Sequence, residues 1–338
     1  GGAFSFHVSC GGVPLSAPCW MTVLSGVPQA EHHVASNDLD ALSFDAEGKL
    51  VAAPLPPCAC IAARKPLCNN FQRGAAQRGA APVPRSLFGR LAAEGRRAAL
   101  LTSGSWEGIG RLCGAQPGAL EAELESGHLS LRHFPAKDLA SEPPVLERSI
   151  EAAEALLARG DGAQGEQGCP DVIAVYIHFI DGTGHIHGFG IDVPEYMAAI
   201  EAVDPLVGRL LAAVERRAAG SKTGGRGEDW LVAVTTDHGG TARRRMPPEL
   251  RRAFDACGCV QRGIAQTGLQ GVHGLPELPQ HALTFQVLAL AGGLEPGELL
   301  PSPGPEDLVP TLLQHLGVGP GAAWQGLAGR PRGLRPAV

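Results

Sequence analysis

Two apolar runs, residues 172–180 and 230–236, each end on an acidic-histidine cluster: Asp181-Gly-Thr-Gly-His185 after the first and Asp237-His238-Gly-Gly after the second. Runs this short and this apolar fit strands that are buried on both faces. Between them Pro194 suits a helix first turn, and Ile200, Val203, Val207, Leu210, Leu211 and Val214 continue an apolar stripe at helical spacing. Strand, long helix and second strand constrain the chain to an α/β fold, a mostly parallel central sheet with helices on both faces. In such sheets ligand chemistry collects at the carboxyl ends of the strands. Two ends that both carry Asp and His therefore point to one shared metal centre.

The rest of the chain supports the same class. The spacing predicts a helix around Trp20–Ser25 stopped by Gly26, a helix over Ser86–Glu94, a buried strand over Arg97–Thr102 and a short helix over Glu107–Cys113. Ser149–Arg159 has helical periodicity, residues 160–168 form a loop, and Leu283–Leu290 reads as another buried strand. Asp307–Leu316 is a predicted helix with Pro310 in its first turn and Gly317 as its stop. Residues 52–85, rich in Pro, Ala, Cys and Arg without a period, and residues 241–272 read as surface insertions. The expected organisation is one domain over residues 1–330 with a tail at 331–338, and no internal repeat is visible.

Bulk properties exclude several classes. A chain of 338 residues with 44% apolar content has ample material for a core. Net charge is −6, and the arginines are scattered among acids without a basic stripe, so binding to a nucleic-acid polymer is not expected. No apolar run approaches the roughly 18 residues that a membrane span needs. The chain opens on Gly1 without a basic start and apolar block, and targeting information is expected upstream, with secretory or organellar routing open. Of nine cysteines only Cys58/Cys60 and Cys257/Cys259 are closely spaced, as C-x-C, and neither has a partner pair at zinc-ribbon distance. No cysteine metal site is expected. Disulfides are compatible with an exported protein.

The segment from Ser16-Ala-Pro18 through Ser25-Gly26-Val-Pro-Gln-Ala-Glu-His32 to Asn37 resembles the nucleophile segment of the alkaline phosphatase superfamily, in its type I phosphodiesterase/nucleotide pyrophosphatase family. Asp181-x-x-Gly184-His185-x-x-Gly188, with Tyr196 behind it, is similar to that family's D-x-x-G-H-x-x-G segment, and Thr236-Asp237-His238-Gly239 to its T/S-D-H-G motif. His273-Gly274 resembles the last ligand, with His281 as a nearby rival, and the Asp307-x-x-Pro-Thr-Leu-Leu helix lies in the expected place. The resemblance runs in order from about residue 1 to about residue 318.

The resemblance implies two divalent metal ions, usually zinc, about 4 Å apart, a spacing suited to in-line displacement at phosphorus. It assigns Asp181, His185 and His273 to one ion, and Asp237, His238 and the Ser16 oxygen to the other. Ser16 is the implied nucleophile, passing through a phosphoserine intermediate, and Asn37 the implied donor to a non-bridging phosphoryl oxygen. Trp20 and Phe189 line a substrate pocket or pack in the core, while His178 and His187 are supporting or structural histidines. The implied activity is a metal-dependent phosphodiesterase or nucleotide pyrophosphatase on a small phosphate-containing substrate. The alternatives are a phosphomonoesterase or phosphosugar mutase of the same superfamily, or a non-catalytic relative. A sulfatase is disfavoured, because that branch has Arg where Trp20 stands.

The family also carries an Asp ligand at the end of its first strand, and no Asp precedes Asp38 here. The expectation is that this N-terminal strand and part of its helix are missing. The Ser16/Asp237/His238 position is then under-coordinated, sheet edges are exposed, and the isolated chain is weakly active or inactive while a longer parent is an enzyme.

Overall fold

The computed structural model describes residues 2–12, 14–32, 34, 37, 42–44, 50–52, 84–115, 118–124, 127–160, 168–221, 227–255, 269–275, 278–290, 292, 294–299 and 303–334. In chain order the main elements are β1 (Gly2–Ser9), α1 (Ser16–Ser25), α2 (Leu87–Ala93), β2 (Ala98–Gly104), α3 (Gly108–Leu112), β3 (Glu121–Glu123), β4 (Leu129–Pro135) and α4 (Glu142–Leu157). There follow β5 (Val172–Ile177), α5 (Phe179–His187), α6 (Pro194–Ser221), β6 (Val232–Thr235), β7 (Thr241–Ala242), α7 (Pro248–Asp255), β8 (Gly271–Val272), β9 (Leu283–Ala289), β10 (Gly297–Glu298) and α8 (Leu308–His315). Most of the 52–85 segment, most of residues 160–168, Cys58, Cys60, Cys257, Cys259 and the centre of the 241–272 segment lie outside the described residues. The two ends of that last segment pair as β7 and β8.

The α/β class is as expected, but the sheet is mixed, and apart from the short parallel pair β1–β10 its parallel strands lie in one half. That half runs β3-β4-β2-β5, with β2 parallel to both β4 and β5. The other runs β10-β1-β9-β6, with β9 antiparallel to both β1 and β6. β5 reaches β6 through the long helix α6, a crossover of the kind that joins parallel strands, whereas β6 and β9 pair antiparallel. The apolar run after residue 172 also divides. Its strand ends at Ile177, and Phe179–His187 coils into α5, which carries Asp181 and His185 at i and i+4 on one helical face.

Strand alternation separates two layers of core. Ala98, Leu100 and Tyr176 pack with Leu87, Phe88 and Leu91 of α2 and with Val309 and Leu313 of α8. On the other face Leu101, Ile173 and Val175 meet Val145 and Ala153 of α4 and Leu210 of α6. In α6 Val203 and Val214 are buried as the stripe predicts, while Ile200 is exposed. The α4/α6 layer also runs beneath β6, because Ile173 of β5 and Trp230 and Val232 beside β6 share one cluster with Leu157, Ala213 and Val214. Thus β5 and β6 lie on common helices as facing edges of separate half-sheets, and neither has a second strand partner among the described residues.

Two buried residues give stability tests. Leu313 is fully buried, so Leu313→Ala should cost about 2–5 kcal/mol, read from the urea midpoint at unchanged m-value. His281 is also fully buried; its Nδ1 accepts the Leu275 N–H at 3.2 Å and its carbonyl accepts the Gly239 N–H at 2.9 Å. Burial, helped by the field of His238, lowers its pKa to about 4. The neutral form is therefore the folded form. Above the unfolded value of about 6.5 the group costs nothing, and as pH falls from there towards 4 only the unfolded chain takes up the proton, so stability drains away. The Tm of the wild type should fall more steeply between pH 6.5 and 4.5 than that of His281→Asn, whose amide oxygen retains an acceptor. Parallel curves would exclude this role.

Candidate active site

The loop ends and helix starts above the two half-sheets bring the separated clusters together. Ser16 is the first residue of α1, with Leu15 as an extended N-cap and Pro18 within the first turn, where a missing N–H is harmless. The helix ends on Gly26 at φ 70°, a left-handed stop. Asn37 comes back against this start, its Oδ1 accepting the Ala17 N–H at 2.8 Å, which leaves the Nδ2 hydrogens for another acceptor. His32, buried, joins the helix to the following turn through Thr22 Oγ1 at 3.0 Å and the Val34 N–H at 3.0 Å.

Ser16 Oγ lies 3.1 Å from His238 Nε2, and Asp237 Oδ2 lies 3.2 Å from the same nitrogen. Asp181 Oδ2 is 3.4 Å from His185 Nε2, and His185 Nε2 is 3.0 Å from His273 Nε2. The His238 and His273 rings stack at 3.9 Å. Asp181, His238 and His273 each present a ligand atom within 4.8 Å of the others. Five residues from three parts of the chain, with Ser16, therefore share one buried pocket of donors. Trp20 does not join them; it packs edge-on to Tyr176 at 5.5 Å in the apolar core. Phe189 is buried beside His185 and His273, at 5.4 and 6.3 Å. His187 stands at the surface 4.0 Å from Glu195, and His281 faces Leu275.

The tautomers follow from the partners. His185 Nδ1 faces the Gly271 carbonyl at 3.3 Å, His273 Nδ1 the Pro14 carbonyl at 3.2 Å, and His238 Nδ1 the Gly239 carbonyl at 3.0 Å. A carbonyl only accepts, so each Nδ1 carries the hydrogen and each Nε2 is left with a lone pair aimed inward. Two such lone pairs at 3.0 Å repel unless a proton or a cation lies between them. With the Asp181 and Asp237 carboxylates alongside, this nitrogen-oxygen donor set fits a divalent cation of the zinc type.

Electrostatics sort the two carboxylates. Burial pushes Asp181 up, but the adjoining His185 and the fields of His273 and His238 outweigh it and hold the carboxyl well below its usual range. Burial also raises Asp237, with the charge of Asp181 adding to it and His238 compensating only in part. His273 is driven well below its ordinary value by burial and by the His238 field, whereas Asp181 raises His185 despite burial. The site thus stores one secure negative charge and one costly one, the condition that a bound cation relieves.

Behind Asp181 stands His178, expected as a supporting or structural histidine, with a buried partner that sequence reasoning missed. Glu142, at the start of α4, accepts from His178 Nδ1 at 2.8 Å, and His178 Nε2 lies 3.8 Å from Asp181. No periodicity marks Glu142; it is an acidic residue in a helix first turn, normally an exposed position. Close backbone approach is the other hidden requirement. A Cβ on Gly271 would meet the Gly184 carbonyl at 1.9 Å, and one on Gly239 the Gln280 carbonyl at 2.2 Å.

Residues 89–255 match the model of the family Type I phosphodiesterase / nucleotide pyrophosphatase. No curated protein matches the chain in sequence. Among solved structures, murine ectonucleotide pyrophosphatase/phosphodiesterase 5 is similar with a TM-score of 0.54 at 13% identity, over 96% of this chain and 91% of that one. A variant of alkaline phosphatase PafA matches at 0.55 and 12% identity, over 98% and 91% of the two chains. A 2-O GAG sulfatase matches at 0.50 and 16% identity, over 98% of this chain and 65% of its own. At these identities the structural likenesses establish the fold, and the family match covers residues 89–255, just under half of the chain. The chain thus has an alkaline-phosphatase-like fold and is similar over that segment to the type I phosphodiesterases/nucleotide pyrophosphatases, which supports a hydrolase of phosphoester bonds.

Proposed function

We propose that this protein is a metal-dependent phosphodiesterase or nucleotide pyrophosphatase in which Ser16 is the nucleophile. The reading is carried by one observation: Ser16 Oγ stands 3.1 Å from the inward-facing Nε2 of His238, in the same pocket as Asp181, His185 and His273. Asp181, His185 and His273 would hold one divalent cation, and Asp237, His238 and Ser16 Oγ the other. Bound there, such cations supply Lewis acidity that favours the serine alkoxide and offsets charge on the phosphoryl and leaving oxygens. A solved variant of the murine relative is described as inactive and in complex with AMP, which supports a nucleotide-type phosphate ester as substrate.

The chain's own groups supply the remaining chemistry. Ser16 Oγ forms a bond to phosphorus while the bond to the leaving oxygen breaks in line, and water later cleaves the phosphoserine to regenerate the hydroxyl. Asn37, oriented through its oxygen by the Ala17 N–H, directs its Nδ2 hydrogens at a non-bridging oxygen. The N-terminal end of the α1 dipole adds positive potential where negative charge gathers. His178, held by Glu142, steadies Asp181.

We also propose that the seam between β5 and β6 seats a further strand, whose carboxylate completes the Ser16/Asp237/His238 position. The two facing edges support this.

With bis-para-nitrophenyl phosphate, Ser16→Ala should lower turnover by about 10³-fold or more at unchanged Tm, and acid quench of the wild type should trap phosphate on residue 16. Retained turnover in Ser16→Ala would remove Ser16 from the reaction. Bound zinc and turnover should both rise when a strand ending on an Asp is supplied N-terminal to residue 1. Full activity of the 338-residue chain would refute the second proposal.

A further inference from the structure

One imidazole in the pocket has two claims on it. His238 Nε2 lies 3.1 Å from Ser16 Oγ and 3.2 Å from Asp237 Oδ2, the neighbours that the resemblance gives it. Yet the three residues whose donor atoms all lie within 4.8 Å of one another are Asp181, His238 and His273, and Asp237 is not among them. The His238 ring stacks on that of His273 at 3.9 Å with 29° between the planes. His185 borders this group, its Nε2 3.0 Å from His273 Nε2 and 3.4 Å from Asp181 Oδ2.

A four-coordinate ion of the zinc type, with bonds of about 2.0–2.2 Å, sets its ligand atoms about 3.3–3.6 Å apart. The two separations at His185 are already near that spacing, and shifts of the order of 1 Å bring the 4.8 Å group to it. His238 has one nitrogen to give. Its Nδ1 donates to the Gly239 carbonyl at 3.0 Å, which leaves a single lone pair on Nε2, and one lone pair binds one cation. The two positions therefore compete for it. With His238, the Asp181 position has three nitrogens and a carboxylate, the closed set of a structural zinc site; without it, three ligands and an open place remain. Ser16 and Asp237 without His238 are two donors, too few for a site of this type.

We propose that His238 is a shared ligand: the first divalent cation is held by Asp181, His185, His238 and His273, and the Ser16/Asp237 position fills only when His238 leaves that set. This rests on the two-cation reading above. The path is short, because the ring that stacks on His273 already stands within 3.2 Å of both Ser16 and Asp237. When His238 crosses, the Asp181 position keeps three protein ligands and gains an open place for a phosphoryl oxygen, and the Ser16 position is completed in the same move. The singly loaded chain is thus a closed form, and metal supply sets how much of the protein is competent.

Cobalt(II) is the probe, since it takes zinc-type sites and absorbs far more strongly in the visible when four-coordinate than when five- or six-coordinate. The metal-free 338-residue chain is titrated with cobalt chloride and followed by absorbance and equilibrium dialysis. The first equivalent should give the intense four-coordinate bands. The second should bind about tenfold or more weakly and lower the absorbance per bound cobalt as His238 is withdrawn. In Asp237→Ala the first-equivalent spectrum should persist. His238→Asn keeps a donor for the Gly239 carbonyl but loses Nε2, and should show the weak bands of an open site with affinity down about tenfold or more. A first equivalent with weak bands in the wild type, or two equivalents of equal affinity with one unchanging spectrum, would overturn the proposal. The wild-type titration alone decides this, so a variant that fails to fold does not blunt it. The two-cation phosphodiesterase reading fails by a different result, full turnover in Ser16→Ala, on which the cobalt spectrum does not depend.

Discussion

The constraint on which the site depends is the anchoring of three imidazoles through backbone carbonyls. His185, His238 and His273 each donate from Nδ1 to a main-chain oxygen, and this turns three Nε2 lone pairs towards one point. The carbonyls come from Gly271, Gly239 and Pro14, so the arrangement exists only because distant backbone segments lie against the histidines. That approach explains the glycines: at 239 and 271 a side chain would displace the main chain that holds or borders a ring. An alcohol, two carboxylates and three inward nitrogens in a buried pocket form an unstable set by themselves. The raised Asp237 and the depressed His273 are the signs of that tension, which positive charge resolves.

The scaffold answers this need with division of labour. The helices α4 and α6 underlie both half-sheets, and from them Glu142 reaches His178 and, through it, Asp181. Arg332, from near the C-terminus, and the buried Asp307 at the start of α8 form an ion pair at 2.9 Å, securing the layer that α1 packs on. The Ser16 turn is held from two directions, by Asn37 on Ala17 and by Pro14 on His273. A hydroxyl on such a turn is positioned by tertiary contacts as well as by the helix it opens.

Local chemistry made much of this legible from residue order. Gly26 and Gly317 as helix stops, Pro194 and Pro310 in first turns, and the apolar runs at 97–102, 172–180, 230–236 and 283–290 are short-range signals, and strands lie within or across each of those runs, at 98–104, 172–177, 232–235 and 283–289. The acidic-histidine clusters were readable because Asp and His together after an apolar run are rare without a ligand. Strand direction was not readable, since β9 pairs antiparallel with residues more than forty positions away in β6. The extent of α5 was likewise hidden, because the apolar run continues past Ile177 and only the backbone turn shows that Asp181 belongs to a helix.

What the sequence alone determined was the α/β class, the placement of most helices and strands, and the kinds of side chain able to hold charge at the strand ends, since all of these follow from spacing and residue type. The tertiary structure alone decided that His273 rather than His281 turns its free nitrogen inward, that Trp20 packs in the core, and that Glu142 stands behind His178. Each of these is a contact between segments far apart in the chain or on different elements. Which carbonyl meets which ring nitrogen is fixed by how sheets and helices pack, and residue order carries no local signal for that.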